Sequence, residues 1–427
     1  MRLSNIALAI TSIYGGFSPA GLFAGGVNGV WYDPSDLTTL FTTSAGTTQC
    51  AMPGGGAAVS VGRMLDKSGN GNHAIAFNDT TARPELRARV NLLTYSEEFD
   101  NGAWQKSNVT ATANTSDTTA PDGTNTADKI LESGVNYHDL LYSFSQTSGV
   151  VYRFSVYVKG GLGRDACYIY AQNTTGGGAA VAKFNLNTGA YLGSGGGALV
   201  PFTTYGSESA GNGWFRIFGT YTASSTAAHF LAISLSDNTG PNINTYTGDP
   251  AKGMYVWGAQ LTATNEFPAN TYQRISDANT YDASGFPLYL RFDGIDDSMY
   301  TPANLNLSGT DKVAVFAGVR KLSAALGFFA ELSANLYNNN AGTFVSIAPN
   351  TTGANGDYAA ASRGSASANI NQFALSAITR APVTNVFTAA HDISGDLSAI
   401  RLNGAASGTA ATGDQGFGNF GTYPLYI

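Results

Sequence analysis

Val151-Tyr152-Arg153-Phe154-Ser155-Val156-Tyr157-Val158 is the stretch on which the fold turns. Its side chains alternate with period two, the spacing of a strand that buries one face. The pattern recurs at fairly even intervals in Ala166–Ala171, Val181–Leu186, Trp214–Tyr221, Phe230–Leu235 and Met254–Leu261, with Gly-rich loops between them. Many short alternating strands separated by turn signals predict an all-β fold in which two antiparallel sheets pack face to face.

The whole chain favours the same class. At roughly 150 residues per domain, 427 residues suffice for two sizeable cores. Charged residues make up 12% of the chain, against the usual ~25%, so the surface is neutral and polar. The 52 glycines imply many turns and few sustained helices. Net charge is −7 and no Lys/Arg cluster interrupts the sequence, which argues against a nucleic-acid partner. Cys50 and Cys167 supply neither a disulfide framework nor a thiolate metal cluster, and read as small buried hydrophobes. Nothing approaches the ~18 apolar residues of a membrane-spanning helix. The opening run Ile6–Ile10 is broken by Thr11, Ser12, Gly15 and Gly16, a weak signal peptide; residues 1–26 read better as an N-terminal docking arm.

Upstream of the alternating series, Val30-Trp31-Tyr32 forms a short apolar strand, and Asp33-Pro34-Ser35-Asp36 is an acidic turn able to start a helical turn through Leu37, Leu40 and Phe41. Asp66-Lys67-Ser68-Gly69-Asn70-Gly71-Asn72-His73 makes a tight polar turn into the strand Ala74–Phe77. Downstream of Asp277 the strand candidates are Pro287–Phe292, Val313–Val319, Gly327–Leu332, Gly342–Ile347, Tyr358–Ser362, Phe373–Ile378, Val386–His391 and Ala399–Asn403. Leu322–Leu336 is open to a helical reading through its alanines. The closing run Pro424–Ile427 is apolar and strand-like; ending there is expected to leave a sheet edge for further residues or a neighbouring chain to cover.

GVWYDPSDLTTL at 29–40, DKSGNGNH at 66–73 and LRFDGIDDSM at 290–299 together resemble the concanavalin-like, laminin-G-type lectin modules of phage and prophage structural proteins. In that family the NGNH segment runs almost directly, here through Arg83–Leu86, into the FDG strand. The long stretch between them therefore reads as a whole domain inserted into a surface loop. NLLTYSEEFDNGAW at 91–104, APDGTNTADKI at 120–130, YRFSVYVK at 152–159, GNGWFRI at 211–217 and MYVWGAQL at 254–261 are similar, in that order, to carbohydrate-binding-type jelly-roll modules of phage tail and receptor-binding proteins. The resemblance implies a discontinuous lectin-like β-sandwich over 27–88 and 277–427 and an inserted β-jelly roll over 89–276.

Sugar recognition needs flat apolar faces for C–H groups and planar polar groups for hydroxyls. The candidates are Trp104, Tyr137, His138, Tyr168, Tyr170 and Tyr246. Trp104 reads first as a core anchor and only second as a sugar contact, and Trp214 and Trp257, inside alternating strands, read as core. Hard oxygens clustered in β-turns suit Ca²⁺. Asp293, Asp296 and Asp297 form one such cluster, toward which the fold is expected to bring Asp66, Asn70 and Asn72; Asp249, with Asp100 or Asp122, forms another. The competing reading is that these side chains hydrogen-bond their own turns. A glycan hydrolase would need carboxylates ~5–9.5 Å apart across a groove. Glu97 and Glu98 are adjacent and point to opposite faces if extended, as do Asp296 and Asp297. His73, His138, His229 and His391 have no zinc-type spacing, and no GxSxG element is present.

These readings converge on a non-enzymatic virion surface protein that attaches a phage to host glycans. The resemblance implies a location on the particle, contact with other virion proteins through the arm, and a homo-oligomer such as a trimer. Head or tail decoration that binds only other virion proteins is the alternative, and a glycan hydrolase ranks below both.

Overall fold

The computed structural model describes residues 4–8, 18–78, 81–173, 178–197, 199–263, 271–321, 326–335, 341–348, 357–366, 372–379 and 383–427. The fold is all-β with multiple antiparallel sheets, consistent with β-sandwich architecture. The acidic turn produces a single 3-10 turn, Leu37–Thr39, where Asp36 accepts the Thr38 N–H and caps it. The chain divides into two compact units, residues 1–88 with 285–427 and residues 89–284.

In the unit 89–284, one six-stranded sheet runs in the order Thr204–Gly211, Trp214–Thr222, Val151–Leu162, Gly253–Ala263, Asp128–Glu132 and Val109–Thr112. The other runs Tyr191–Gly193, Ala179–Asn185, Ala166–Gln172, Ala227–Ser236, His138–Gln146 and Trp104–Ser107, with Val200–Pro201 beside Ala179–Asn185. Tyr152, Phe154, Val156 and Val158 all turn inward and pack in one core with Ile169, Phe184, Ile233 and Leu235 of the facing sheet. Each such buried side chain contributes ~1.5–3 kcal/mol, an upper estimate for a chain whose unfolded state is partly collapsed. The strands approach so closely at Gly253 that a Cβ there would lie 1.8 Å from the Ile130 carbonyl oxygen. Residues 277–284 fold back onto this unit: Gln273 Nε2 donates to Asp282 O at 2.7 Å and Arg274 pairs with the Asp282 carboxylate at 3.0 Å. For that reason the unit ends at 284, later than the change of sequence texture at 277 suggests.

The unit of residues 1–88 and 285–427 has its own interior. Val30, Tyr32, Leu40, Met64 and Leu86 share it with Met299, Val313, Phe344, Phe387 and Leu425. Its largest sheet runs Leu40–Phe41, Arg63–Met64, Ala74–Ala76, Met299–Tyr300, Leu425–Tyr426, Phe328–Leu332, Thr343–Ile347, Ala359–Arg363 and Ala374–Leu375. A second runs Trp31–Tyr32, Ser4–Leu8, Lys312–Lys321, Val383–Asp392, Leu397–Leu402 and Ala405–Ala406. A third pairs Tyr289–Arg291 with Glu85–Arg87, which pairs in turn with Val59–Ser60, and Leu305–Asn306 pairs with Thr422–Tyr423 in a fourth.

Four local readings change. Ser4–Leu8, part of the expected docking arm, pairs in parallel with Trp31–Tyr32 and with Lys312–Lys321; residues 1–3 and 9–17 of the arm lie outside the described residues. Phe328–Leu332 is a strand, so the helical reading fails there, and the rest of that reading at 322–325 and 336 lies outside the described residues. Phe292 falls beyond the Tyr289–Arg291 strand and is 38% exposed. Leu425–Tyr426 is no sheet edge, because it is flanked on both sides, and Met299 and Ile427 exchange two backbone hydrogen bonds of 2.8 Å.

Candidate functional site

The seven-stranded sheet of the unit 89–284 turns Leu140, Ile169 and Ile233 into the core. Strand alternation must then send Asp139 and Leu141, Tyr168 and Tyr170, and Phe230, Ala232 and Ser234 to the opposite face. Register aligns them in rows: Asp139 opposite Ser234 opposite Tyr168, and Leu141 opposite Ala232 opposite Tyr170. The neighbouring edge strand adds Ser107 beside Asp139 and Gln105 beside Leu141.

One end of this face is covered. Lys183 Nζ donates to Asn238 Oδ1 at 3.0 Å and to Asn242 O at 2.8 Å, and Gly195 bridges to Asn242, so the 237–244 segment lies over Lys183. Tyr168 is buried at this end, and its hydroxyl donates to Asp139 Oδ1 at 3.3 Å. The other end stays open, with Tyr170 and Leu141 half-buried, Gln105 exposed, and Phe230 41% exposed. Tyr137, 40% exposed, lies close enough to act electrostatically on Tyr168 and Tyr170. Burial raises the Asp139 carboxyl above its ordinary pKa, and burial followed by the Asp139 charge pushes the Tyr168 phenol well above its own. The result is a set of aromatic and aliphatic surfaces grouped around one carboxylate whose lone pairs are not exhausted by its neighbours. Such a face can stack sugar C–H groups and accept from sugar hydroxyls.

Of the six sugar-contact candidates, Tyr137, Tyr168 and Tyr170 are thus brought together, although Tyr168 is sealed and acts by orienting Asp139. Trp104 is corrected to a core residue. It is fully buried, its Nε1 donates to Tyr95 O at 2.9 Å, and its ring packs on Phe99 and Tyr142. His138 is also withdrawn from the surface, because it shares the inward phase of Leu140; its ring stacks on Tyr246 at 4.2 Å between centroids. A Cβ at Gly248 would meet His138 Nε2 at 2.5 Å, so only glycine fits above it. Tyr246 serves as a brace: its hydroxyl donates to Glu132 Oε1 at 2.7 Å, while Arg164 grips the same carboxylate at 2.5 and 2.6 Å. Trp214 and Trp257 are buried in a smaller cluster with Tyr255, and Cys50 and Cys167 are buried free thiols.

Asp139, Leu141, Phe230 and Gln105 were not singled out from the sequence. The signal was present in His138–Gln146, where an inward Leu140 forces Asp139 and Leu141 outward, but it names a face only once the inward phase is known.

The oxygen-rich turns behave as turns. Asp66 accepts the Trp31, Ser68 and Asn72 N–H groups and the Ser68 hydroxyl at 2.7–3.0 Å. The Asn70 and Asn72 amides donate to Val27 O and Gly29 O. This loop is therefore pinned to the chain before Val30, and among the described residues Asp66 does not join the aspartate cluster. Asp293, Asp296 and Asp297 do lie together, with carboxylate oxygens within 4.8 Å. Yet Asp293 Oδ1 takes the Ile295 N–H at 2.8 Å, which holds its pKa down, and Asp297 Oδ2 accepts the Asp293 N–H at 2.9 Å. Asp249 is likewise held low by the Ala251 N–H it accepts, and among the described residues it belongs to no group of three or more such ligands.

Compared with known proteins, the chain matches no family model and no curated protein.

Proposed function

We propose that the protein is a non-enzymatic surface component of a tailed phage or prophage particle that attaches to host glycans through the open sheet face of residues 89–284. The observation that carries this reading is the outward grouping of Asp139, Leu141 and Tyr170 near Tyr137, with Phe230 one row further along the same face. A face of this kind gives weak single contacts, and a homo-oligomer such as a trimer, in many copies on a particle, multiplies them into firm attachment. The resemblance of residues 91–104, 120–130, 152–159, 211–217 and 254–261 to carbohydrate-binding jelly rolls points the same way, as does that of residues 29–40, 66–73 and 290–299 to lectin-like modules.

The decoration reading draws on a different observation: Ile295, Phe417 and Phe77 of the other unit are exposed by 87%, 74% and 66%, as suits contacts with neighbouring virion proteins. Replacing Tyr170 and Phe230 together by Ala separates the two. Attachment requires that retention on host glycans falls at least ~tenfold while incorporation into particles stays normal. Normal retention with failed incorporation would move the role to decoration.

A further inference from the structure

A cleft of about 220 Å³ opens on the unit of residues 1–88 and 285–427. Arg63 and His73 line it together with Asn72, Ile75, Pro302 and Ala303, and among the described residues no carboxylate does. His73 Nδ1 accepts the Asp66 N–H at 3.0 Å. That bond requires an unprotonated Nδ1 and places the ring proton on Nε2. Burial and the nearby Arg63 charge hold the His73 pKa below its ordinary value, so the ring is a fixed neutral donor at neutral pH.

Arg63 is half-buried, and among the described residues its guanidinium has neither an ion pair nor a hydrogen bond. A half-buried guanidinium without a counter-charge is left poorly compensated, and an anion is its natural complement. Asn72 Nδ2 donates to Gly29 O at 3.2 Å, which fixes the amide and leaves Oδ1 as an acceptor. Ile75 and Pro302 supply apolar wall. The volume is below the ~300 Å³ at which drug-sized pockets begin, so it suits one ring and not an oligosaccharide.

We propose that this cleft binds a single acidic sugar unit of the uronic acid type, its carboxylate on Arg63 and His73 Nε2, a hydroxyl on Asn72 Oδ1, and its C–H face on Ile75 and Pro302. A neutral sugar leaves Arg63 unpaired, and a bare anion leaves Asn72 and the apolar wall unused. The site is built by residues of this unit alone and does not depend on the sheet face of residues 89–284.

The test is histidine-selective NMR of the full chain titrated with galacturonate, galactose, acetate and inorganic phosphate. His138, His229 and His391 are buried, so His73 reports this cleft alone, by a signal independent of the face. The expected result is a saturable His73 shift with galacturonate, at least ~tenfold weaker in Arg63→Gln and weakened as well in Ala303→Trp. Ala303 is exposed, so that second variant fills the cleft without touching the core. No saturation by galacturonate, or equal saturation in Arg63→Gln, overturns the assignment. Saturation by acetate, phosphate or galactose as tight as by galacturonate overturns it too, since the cleft then selects only an anion or only a ring.

Discussion

Leu86 and Leu290 face each other across an antiparallel ladder, with Arg87 opposite Tyr289 on one side and Glu85 opposite Arg291 on the other. The chain therefore leaves one unit and returns to it through paired strands, and everything between them is a single excursion.

Cutting out residues 89–284 and joining Ala88 to Gly285 through a short Gly-Asn turn is expected to yield a folded β protein. The paired strands already set the hairpin register, and among the described residues the shared interior contains none from the excised segment. Far-UV circular dichroism and one cooperative urea transition check this. A broad, non-cooperative transition would show that the interior needs the excursion.

Trp104→Ala is expected to cost about 3–5 kcal/mol, because it empties a packed site against Phe99 and Tyr142 and leaves Tyr95 O without its donor. Denaturant unfolding measures the loss. Under conditions where the variant stays folded, glycan retention remains at the parent level. A retention defect in a variant of unchanged stability would return Trp104 to the surface.

Burial pushes the Glu97 carboxyl up to about 7 from its ordinary 4.5, although Tyr272 donates to it at 3.1 Å. The folded state thus binds a proton that the unfolded state has released between pH 4.5 and 7. This contribution is complete below about pH 4.5 and is lost as pH rises through 7. At ~1.4 kcal/mol per pKa unit, the loss is roughly 3–3.5 kcal/mol by pH 8. Glu97→Gln should therefore gain stability over the parent at pH 8 and show little advantage at pH 4.5. Asp128, raised to about 6, leaves a residual slope of the same sign. Parallel pH profiles for parent and variant would refute the burial account.

Asp66→Ala strips the acceptor from three backbone N–H groups and should destabilise its unit by about 2–4 kcal/mol. If the carboxylate organises the turn and holds no ion, the loss is the same with millimolar calcium or with chelator. Thermal unfolding in both conditions gives the answer, and a calcium-dependent difference would restore the metal reading of this loop.

Alternation recurring from Val151–Val158 to Met254–Leu261 was enough to predict packed antiparallel sheets, because a strand of period two buries one face. The turn chemistry of Asp66–His73 was equally legible, since Ser-Gly and Asn-Gly pairs act through local backbone geometry. The placement of Leu425–Tyr426 between Met299–Tyr300 and Phe328–Leu332 was not, because pairing over such separations depends on how the intervening chain folds. The same holds for the site. Composition and local pattern named Tyr137, Tyr168 and Tyr170 as aromatic candidates, but whether Trp104 faces the core, and which carboxylate stands among the tyrosines, follows from inter-sheet packing and cross-strand register. Residue types and period are properties of the chain itself. Burial and neighbourhood are properties of two sheets meeting, and only the tertiary structure sets them.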